Sequence, residues 1–256
     1  MAINTGLRIA YILKRRRGRG GKKPLVLPGL AFAPLWFDAQ DINAGAGQPL
    51  DGAAIATWKN KGSIGAGGDC VQATGANRPL FKTVGAVGKL NNLSTVRFDG
   101  ANDFLVSADF TALTQPTLVC LIGSRNGAAS QVFCAGNGVT NRNQIWYDAS
   151  VNKWALYAGA VTDGALTADD AKYTMFAATF NFASSVFRVN GANNAIGNPG
   201  NNVLDGFSLG GDEGGGAPLN GDIVEAVVYV DTAPNLVARA LSFEAYAVAK
   251  YGAFSQ

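Results

Sequence analysis

From residue 35 onward apolar and polar positions alternate mostly with a period of two, the signature of strands with one buried face. Leu35-Trp36-Phe37-Asp38 reads as a first strand, and Ser94-Thr95-Val96-Arg97-Phe98 alternates until Asp99-Gly100 breaks it. Thr117-Leu118-Val119-Cys120-Leu121-Ile122 is a continuous apolar run of strand length, suited to a central position. Gln144–Asp148 and Lys153–Ala158 flank a polar turn and predict a hairpin. Tyr173–Phe180 and Val186–Val189, β-branched and aromatic, predict another. Gly221–Val230 is the strongest strand: strict alternation puts Ile223, Val227 and Tyr229 on one face and Val224, Ala226, Val228 and Val230 on the other. The period changes only near the C-terminus. There Asp231 or Thr232 offers a cap, Pro234 suits a first turn, and Leu236, Ala240, Phe243 and Ala247 repeat at helical spacing before Gly252. The pattern predicts an all-β body of ten or more strands in two antiparallel sheets, closed by one C-terminal helix.

Composition strengthens this reading. Of 256 residues 33 are Gly, and the 18 acids comprise 15 Asp and 3 Glu, which favours turns over helices. The sequence lacks histidine, which excludes Ser-His-Asp and Cys-His catalysis and His-ligated zinc. Cys70, Cys120 and Cys134 show no CxxC spacing, so neither a thiolate zinc site nor a dithiol redox pair is expected. No apolar run approaches the roughly 18 residues of a membrane helix, and no membrane insertion is expected.

Charge divides the chain. Residues 1–23 carry Arg8, Lys14, Arg15, Arg16, Arg17, Arg19, Lys22 and Lys23 with no acid, so the net +3 is +8 on an arm and −5 on the rest. The apolar stretch Leu7–Leu13 precedes the basic run, the reverse of a signal peptide. Fully extended, 23 residues reach about 75–80 Å, enough to touch a neighbouring subunit. Residues 1–34 are therefore expected to form a basic anchoring arm, with Leu7, Ile9, Tyr11, Ile12 and Leu13 as its apolar grip, and residues 35–256 the body. The arm suits an acidic protein surface, and less well packaged nucleic acid.

Several segments, in order, resemble the concanavalin A-like, laminin G-like jelly rolls, particularly those of bacteriophage structural proteins and some bacterial surface proteins. They are Leu35-Trp36-Phe37-Asp38-Ala39-Gln40-Asp41, Trp58-Lys59-Asn60-Lys61, Val96–Leu105, Gly221–Tyr229 and the closing Phe243–Gly252. At Asn60-Lys61 the sequence departs from the acidic turn usual in the family. The resemblance implies a jelly-roll sandwich, a fold that hosts lectins, glycosidases and purely structural modules.

Candidate chemistry is sparse. Catalytic relatives place paired carboxylates on a Glu-x-Asp-x-Glu strand. This chain has no such triplet, and its three glutamates lie far apart in sequence, so no enzyme is expected. Asp99, Asn102 and Asp103 offer one set of oxygen ligands for calcium and Gly211-Asp212-Glu213-Gly214-Gly215-Gly216 another, neither at EF-hand spacing, although such residues also suit tight turns. Trp146, Tyr147, Trp154 and Tyr157 cluster on one hairpin near Asn143, which makes Trp146 and Trp154 candidate stacking platforms for a glycan. Ordinary core aromatics are the competing reading. The leading expectation is a non-enzymatic phage virion protein, a capsid decoration or a tail or fibre component. It would be attached to other virion proteins through its arm, expose a lectin-like body on the particle surface, and form a homo-oligomer. The alternative is a carbohydrate-binding adhesin or host-receptor module.

Overall fold

In a computed structural model, which describes residues 25–84, 90, 92–138 and 140–254, two antiparallel sheets of eight strands lie face to face. The strands in chain order are β1 (Leu35–Asp38), β2 (Thr57–Trp58), β3 (Cys70–Val71), β4 (Leu80–Lys82), β5 (Thr95–Asp99), β6 (Leu105–Val106), β7 (Thr117–Arg125) and β8 (Gln131–Ala135). They continue with β9 (Gln144–Asp148), β10 (Lys153–Tyr157), β11 (Val161–Thr167), β12 (Thr174–Phe180), β13 (Ser185–Val189), β14 (Ala192–Gly197), β15 (Ser208–Leu209) and β16 (Asn220–Val230). The first sheet runs β14-β13-β12-β7-β16-β5-β4, with β1 also pairing β16, and the second runs β11-β10-β9-β8-β15-β6-β3-β2. One helix, α1 (Ala233–Tyr251), follows β16.

Burial explains the apolar runs. All nine residues of β7 are buried, because its two faces serve two different cores. Val119 and Leu121 face the sandwich interior with Phe37, Phe133, Phe176 and Trp154. Leu118, Cys120 and Ile122 face the other way, against Leu236, Ala240, Phe243 and Ala247 of α1. The helix thus covers the outer face of the first sheet. Thr232 takes the N-cap position without a side-chain bond, while Asp231 Oδ1 accepts from the Thr232 N–H at 2.8 Å and from Asn235 Nδ2 at 3.0 Å. Arg188 of β13 clamps the helix to the sheet, its Nε donating to Glu244 Oε1 at 2.6 Å and its Nη2 to Oε2 at 3.0 Å.

Within β16 alternation fails at one point. Ile223 opposes Gly123 and Glu225 opposes Ile122, so Val224 is an extra residue, a β-bulge in β16. The bulge reverses the parity expected from the sequence. Ile223 joins Ala226 and Val228 in the sandwich core, whereas Val224 joins Val227 and Tyr229 under the helix.

The basic cluster Arg8, Lys14, Arg15, Arg16, Arg17, Arg19, Lys22 and Lys23 lies outside the described residues. Residues 27–33, assigned to the arm from sequence, meet the body: Leu27 and Ala33 are buried beside α1, and Tyr229 Oη donates to the Pro28 carbonyl at 2.9 Å. Among the described residues no helix is long and apolar enough to cross a membrane.

Candidate functional site

The β9–β10 hairpin separates the predicted glycan residues into two environments. Trp154 pairs with Tyr147 and Ala155 with Trp146, so Trp154 and Tyr147 share one face and Trp146 takes the opposite one. The turn holds four residues, 149–152, so directly opposed residues differ by an odd number and residues eight apart face opposite ways. Trp154 is only 3 % exposed and sits edge-on to Phe133 and Phe176 at 5.6 and 5.0 Å, which makes it a core residue rather than a stacking platform. Tyr147 is also interior: its ring stacks beneath the Arg125 guanidinium at 3.4 Å, and its hydroxyl donates to Asn152 Oδ1 at 3.0 Å. Asn143 is fully buried and donates through Nδ2 to Thr117 Oγ1 at 2.7 Å. Of the five residues named from the sequence, Tyr147, Trp154 and Asn143 are interior, and Trp146 and Tyr157 line an outward-facing pocket.

Trp146 lies on the outer face of the second sheet, opposite the side that packs against the core. Register puts Val132 beside it on β8, Gln144 two residues before it, Tyr157 opposite Gln144, and Val161 opposite Tyr157. These five side chains floor a pocket of about 250 Å³, walled by Arg142, Asp212 and Ala217. One wall is the glycine-rich segment 211–217. Asp212 Oδ1 accepts from the N–H groups of Gly214 (3.2 Å) and Gly216 (2.5 Å), and the Gly215 N–H bonds the Asp212 carbonyl at 2.9 Å. Gly215 sits at φ 75°, a left-handed conformation suited to glycine, with Phe104 against it.

The polar groups of this wall have unused bonding capacity. Arg142 lies over the Tyr157 ring at 5.0 Å, and its Nη1 is 3.6 Å from Glu213 Oε2, an ion pair too long for a hydrogen bond. Arg142 Nε, Glu213 Oε2 and Trp146 Nε1 are buried and lack hydrogen-bond partners. Three such atoms in one place are uncommon, since each costs about 1–3 kcal/mol unless something satisfies it. The sequence isolates Trp146 and Tyr157 and offers Asp212 and Glu213 only as a calcium cluster, while Arg142 and Gln144 go unmarked. The i, i+2 spacing of Gln144 and Trp146 was the available signal for one of them.

The calcium candidates form a turn. Asp99 Oδ1 accepts from the N–H groups of Ala101 (2.8 Å) and Asn102 (3.2 Å), and Asp103 Oδ2 accepts from the Asp99 N–H at 3.1 Å. Their bonding to the backbone fits the turn reading, and among the described residues no cluster of three or more acidic, Cys or His side chains could hold a metal ion. Burial and then the neighbouring Asp99 charge raise the Asp103 carboxyl to about 6.

A second polar cluster lies under α1. The fully buried Glu225 accepts from Trp36 Nε1 (2.7 Å), Tyr246 Oη (3.0 Å), Tyr251 Oη (2.5 Å) and Lys250 Nζ (3.1 Å), and Lys250 also reaches Asp38 at 3.0 Å. Burial pushes the Glu225 carboxyl above its ordinary range.

No family model matches the sequence, and no curated protein does. Solved structures do match. The chain is similar to a mutant GH54 α-L-arabinofuranosidase soaked with 4-nitrophenyl α-L-arabinofuranoside (TM-score 0.55, 13 % identity, 86 % of this chain and 60 % of that one). It is also similar to an arabinofuranosidase complexed with arabinofuranosyl-α-1,2-xylobiose (TM-score 0.52, 13 % identity, 88 % and 60 %). A weaker likeness is to a Trypanosoma rangeli sialidase in complex with the inhibitor DANA (TM-score 0.45, 14 % identity, 75 % and 32 %). The chain spans 60 % of the two arabinofuranosidase chains and 32 % of the sialidase chain.

The molecule therefore has a two-sheet antiparallel sandwich fold similar to that of the arabinofuranosidase chains, which is the coarser part of the resemblance seen in the sequence. One expectation is corrected. The sequence leads to an expectation of no enzyme, yet the two structures reported above with TM-scores of 0.55 and 0.52 are arabinofuranosidases. The reasoning from distant glutamates fails physically, because the fold joins distant acids: Lys250 bridges Asp38 and Glu225, 187 positions apart.

Proposed function

We propose that the protein binds carbohydrate in the pocket on the outer face of its second sheet. The observation that carries this reading is the pairing of an aromatic floor, Trp146 and Tyr157, with a wall of polar groups that have unused bonding capacity. Aromatic rings suit the apolar face of a sugar, and orienting hydroxyl groups needs a few fixed charged or amide groups, here Arg142, Gln144 and Asp212. The fold likeness to arabinofuranosidase chains is compatible with such a ligand. The test is a printed glycan array probed with the intact chain and with Trp146→Ala and Tyr157→Ala, the bound glycans being recovered and checked for cleavage. Specific binding lost in both variants supports the site. Binding that survives both removes it.

A second reading concerns how the body is mounted. The split of +8 on residues 1–23 against −5 on the rest favours attachment of the chain, through its basic segment, to the proteins of a phage particle. Deleting residues 1–23 and measuring incorporation across a salt series tests this, and unchanged occupancy would refute it.

A further inference from the structure

We infer that the pocket selects neutral sugars carrying a vicinal diol and rejects acidic sugars such as uronates and sialic acids. This rests on the carbohydrate reading above and narrows it.

The charges decide the class. The lining carries one cation, Arg142, and one carboxylate, Asp212, and Glu213 stands behind the lining at 3.6 Å from Arg142, so the three groups together are negative by one charge. Asp212 is fixed by its bonds to Gly214 and Gly216 and cannot swing away without opening the 211–217 turn. Arg142 is the natural partner for an incoming carboxylate, but it is held between Tyr157 and Glu213. An acidic sugar reaching Arg142 must come up against Glu213, with Asp212 on the same wall. Like charges crowded in a partly desolvated site repel strongly.

A neutral diol meets no such opposition. Arg142 Nε is a donor without an acceptor, and Glu213 Oε2 is an acceptor without a donor. The ion pair they belong to is stretched to 3.6 Å, so neither satisfies the other with a hydrogen bond. A hydroxyl group both accepts and donates. Two adjacent hydroxyls can therefore serve both residues at once, one accepting from Arg142 and its neighbour donating to Glu213. Both atoms are covered, so binding requires the Arg142 and Glu213 side chains, 21 % and 22 % exposed, to shift and present them. The sugar's apolar face then lies on Trp146 and Tyr157. A carboxylate, which only accepts, leaves Glu213 unmet, and a single hydroxyl must sit between both groups at once, whereas a diol lets each hydroxyl take its own partner's geometry.

The experiment compares the intact chain with Glu213→Gln on an array of neutral glycans, uronate- and sialate-bearing glycans, and O-methylated or deoxy versions of the neutral hits. Titration calorimetry on the best neutral hit and its closest acidic analogue gives the ratio. The wild type is expected to bind neutral glycans at least about tenfold more tightly than acidic ones, and to lose a similar factor when one hydroxyl of the diol is removed. Glu213→Gln should narrow the neutral-to-acidic ratio to about threefold or less. Acidic glycans binding as well as neutral ones, or deoxy analogues binding as well as their parents, would overturn the inference while leaving the carbohydrate site intact. No binding of any glycan would overturn both. Thermal melting of Glu213→Gln checks that the fold survives, and Glu213→Asp, which keeps the charge, should keep the ratio.

Discussion

The indole Nε1 of Trp36 donates to Oε1 of Glu225 at 2.7 Å, linking β1 to its neighbour β16 through a fully buried carboxylate. The bulge at Val224 makes this contact available. Without it, alternation from Ile223 would turn Glu225 toward the sandwich interior. With it, the carboxylate turns toward the helix and meets Tyr246, Lys250 and Tyr251.

Removing that carboxylate leaves three neutral donors and an ammonium group with less to bind. Glu225→Leu is expected to cost about 3–5 kcal/mol, as for other broken buried ion pairs. Glu225→Gln should cost less, because one acceptor oxygen remains. Urea unfolding curves of the two variants check the order, and a Leu variant as stable as wild type would show the network to be dispensable.

The two tryptophans of the hairpin should separate stability from binding. Trp154→Ala empties a site among Phe133, Tyr147 and Phe176 and is expected to cost about 3–5 kcal/mol. Trp146→Ala, on the open face, should cost about 1 kcal/mol and abolish glycan binding. Thermal melting beside array binding reads both, and a reversed pattern would mean that the sheet faces are misassigned.

These residues show what the sequence carries and what it hides. The strands at Leu35, Thr117, Gln144, Lys153 and Asn220 were visible because two buried faces demand apolar runs or alternation, and α1 because its stripe repeats at helical spacing. The faces were harder. One inserted residue at Val224 inverted half of β16, and an even-numbered turn put Trp146 and Trp154 back to back. Arg142, Asp212 and Glu213 lie outside the strands, so no periodicity marks them. Only the folded register brings them beside Trp146.

Asp103 should give stability a pH dependence. Its carboxyl rises from 3.8 to about 6 on folding, so the folded state holds the proton more tightly. Its contribution to stability is complete below 3.8 and is lost as pH rises through about 6. Asp103→Asn, which keeps an acceptor for the Asp99 N–H, should flatten the melting temperature between those values. An unchanged slope in the variant would assign the dependence to other carboxylates.

Arg125 fastens the segment after β11. It donates to the carbonyls of Gly127 and Ala168 and pairs with Asp170 at 2.8 Å, while its own carbonyl accepts from the Ala171 N–H. Arg125→Met keeps apolar bulk beside Tyr147 but leaves those carbonyls unmet, and should cost about 2–3 kcal/mol. Faster amide exchange at residues 168–171 would mark the loosened segment, and unchanged exchange there would count against its role as a fastener.

Covering only the first sheet with α1 gives the body a front and a back. Leu27 and Ala33 meet the chain's own helix at the back, whereas Trp146 looks out from the front, across the full thickness of the sandwich. Were the chain held through its leading residues, as proposed, the proposed pocket would point away from the support. Many such molecules tethered side by side would present a carpet of receptors facing the surroundings, each too weak to matter alone and together able to grip a surface.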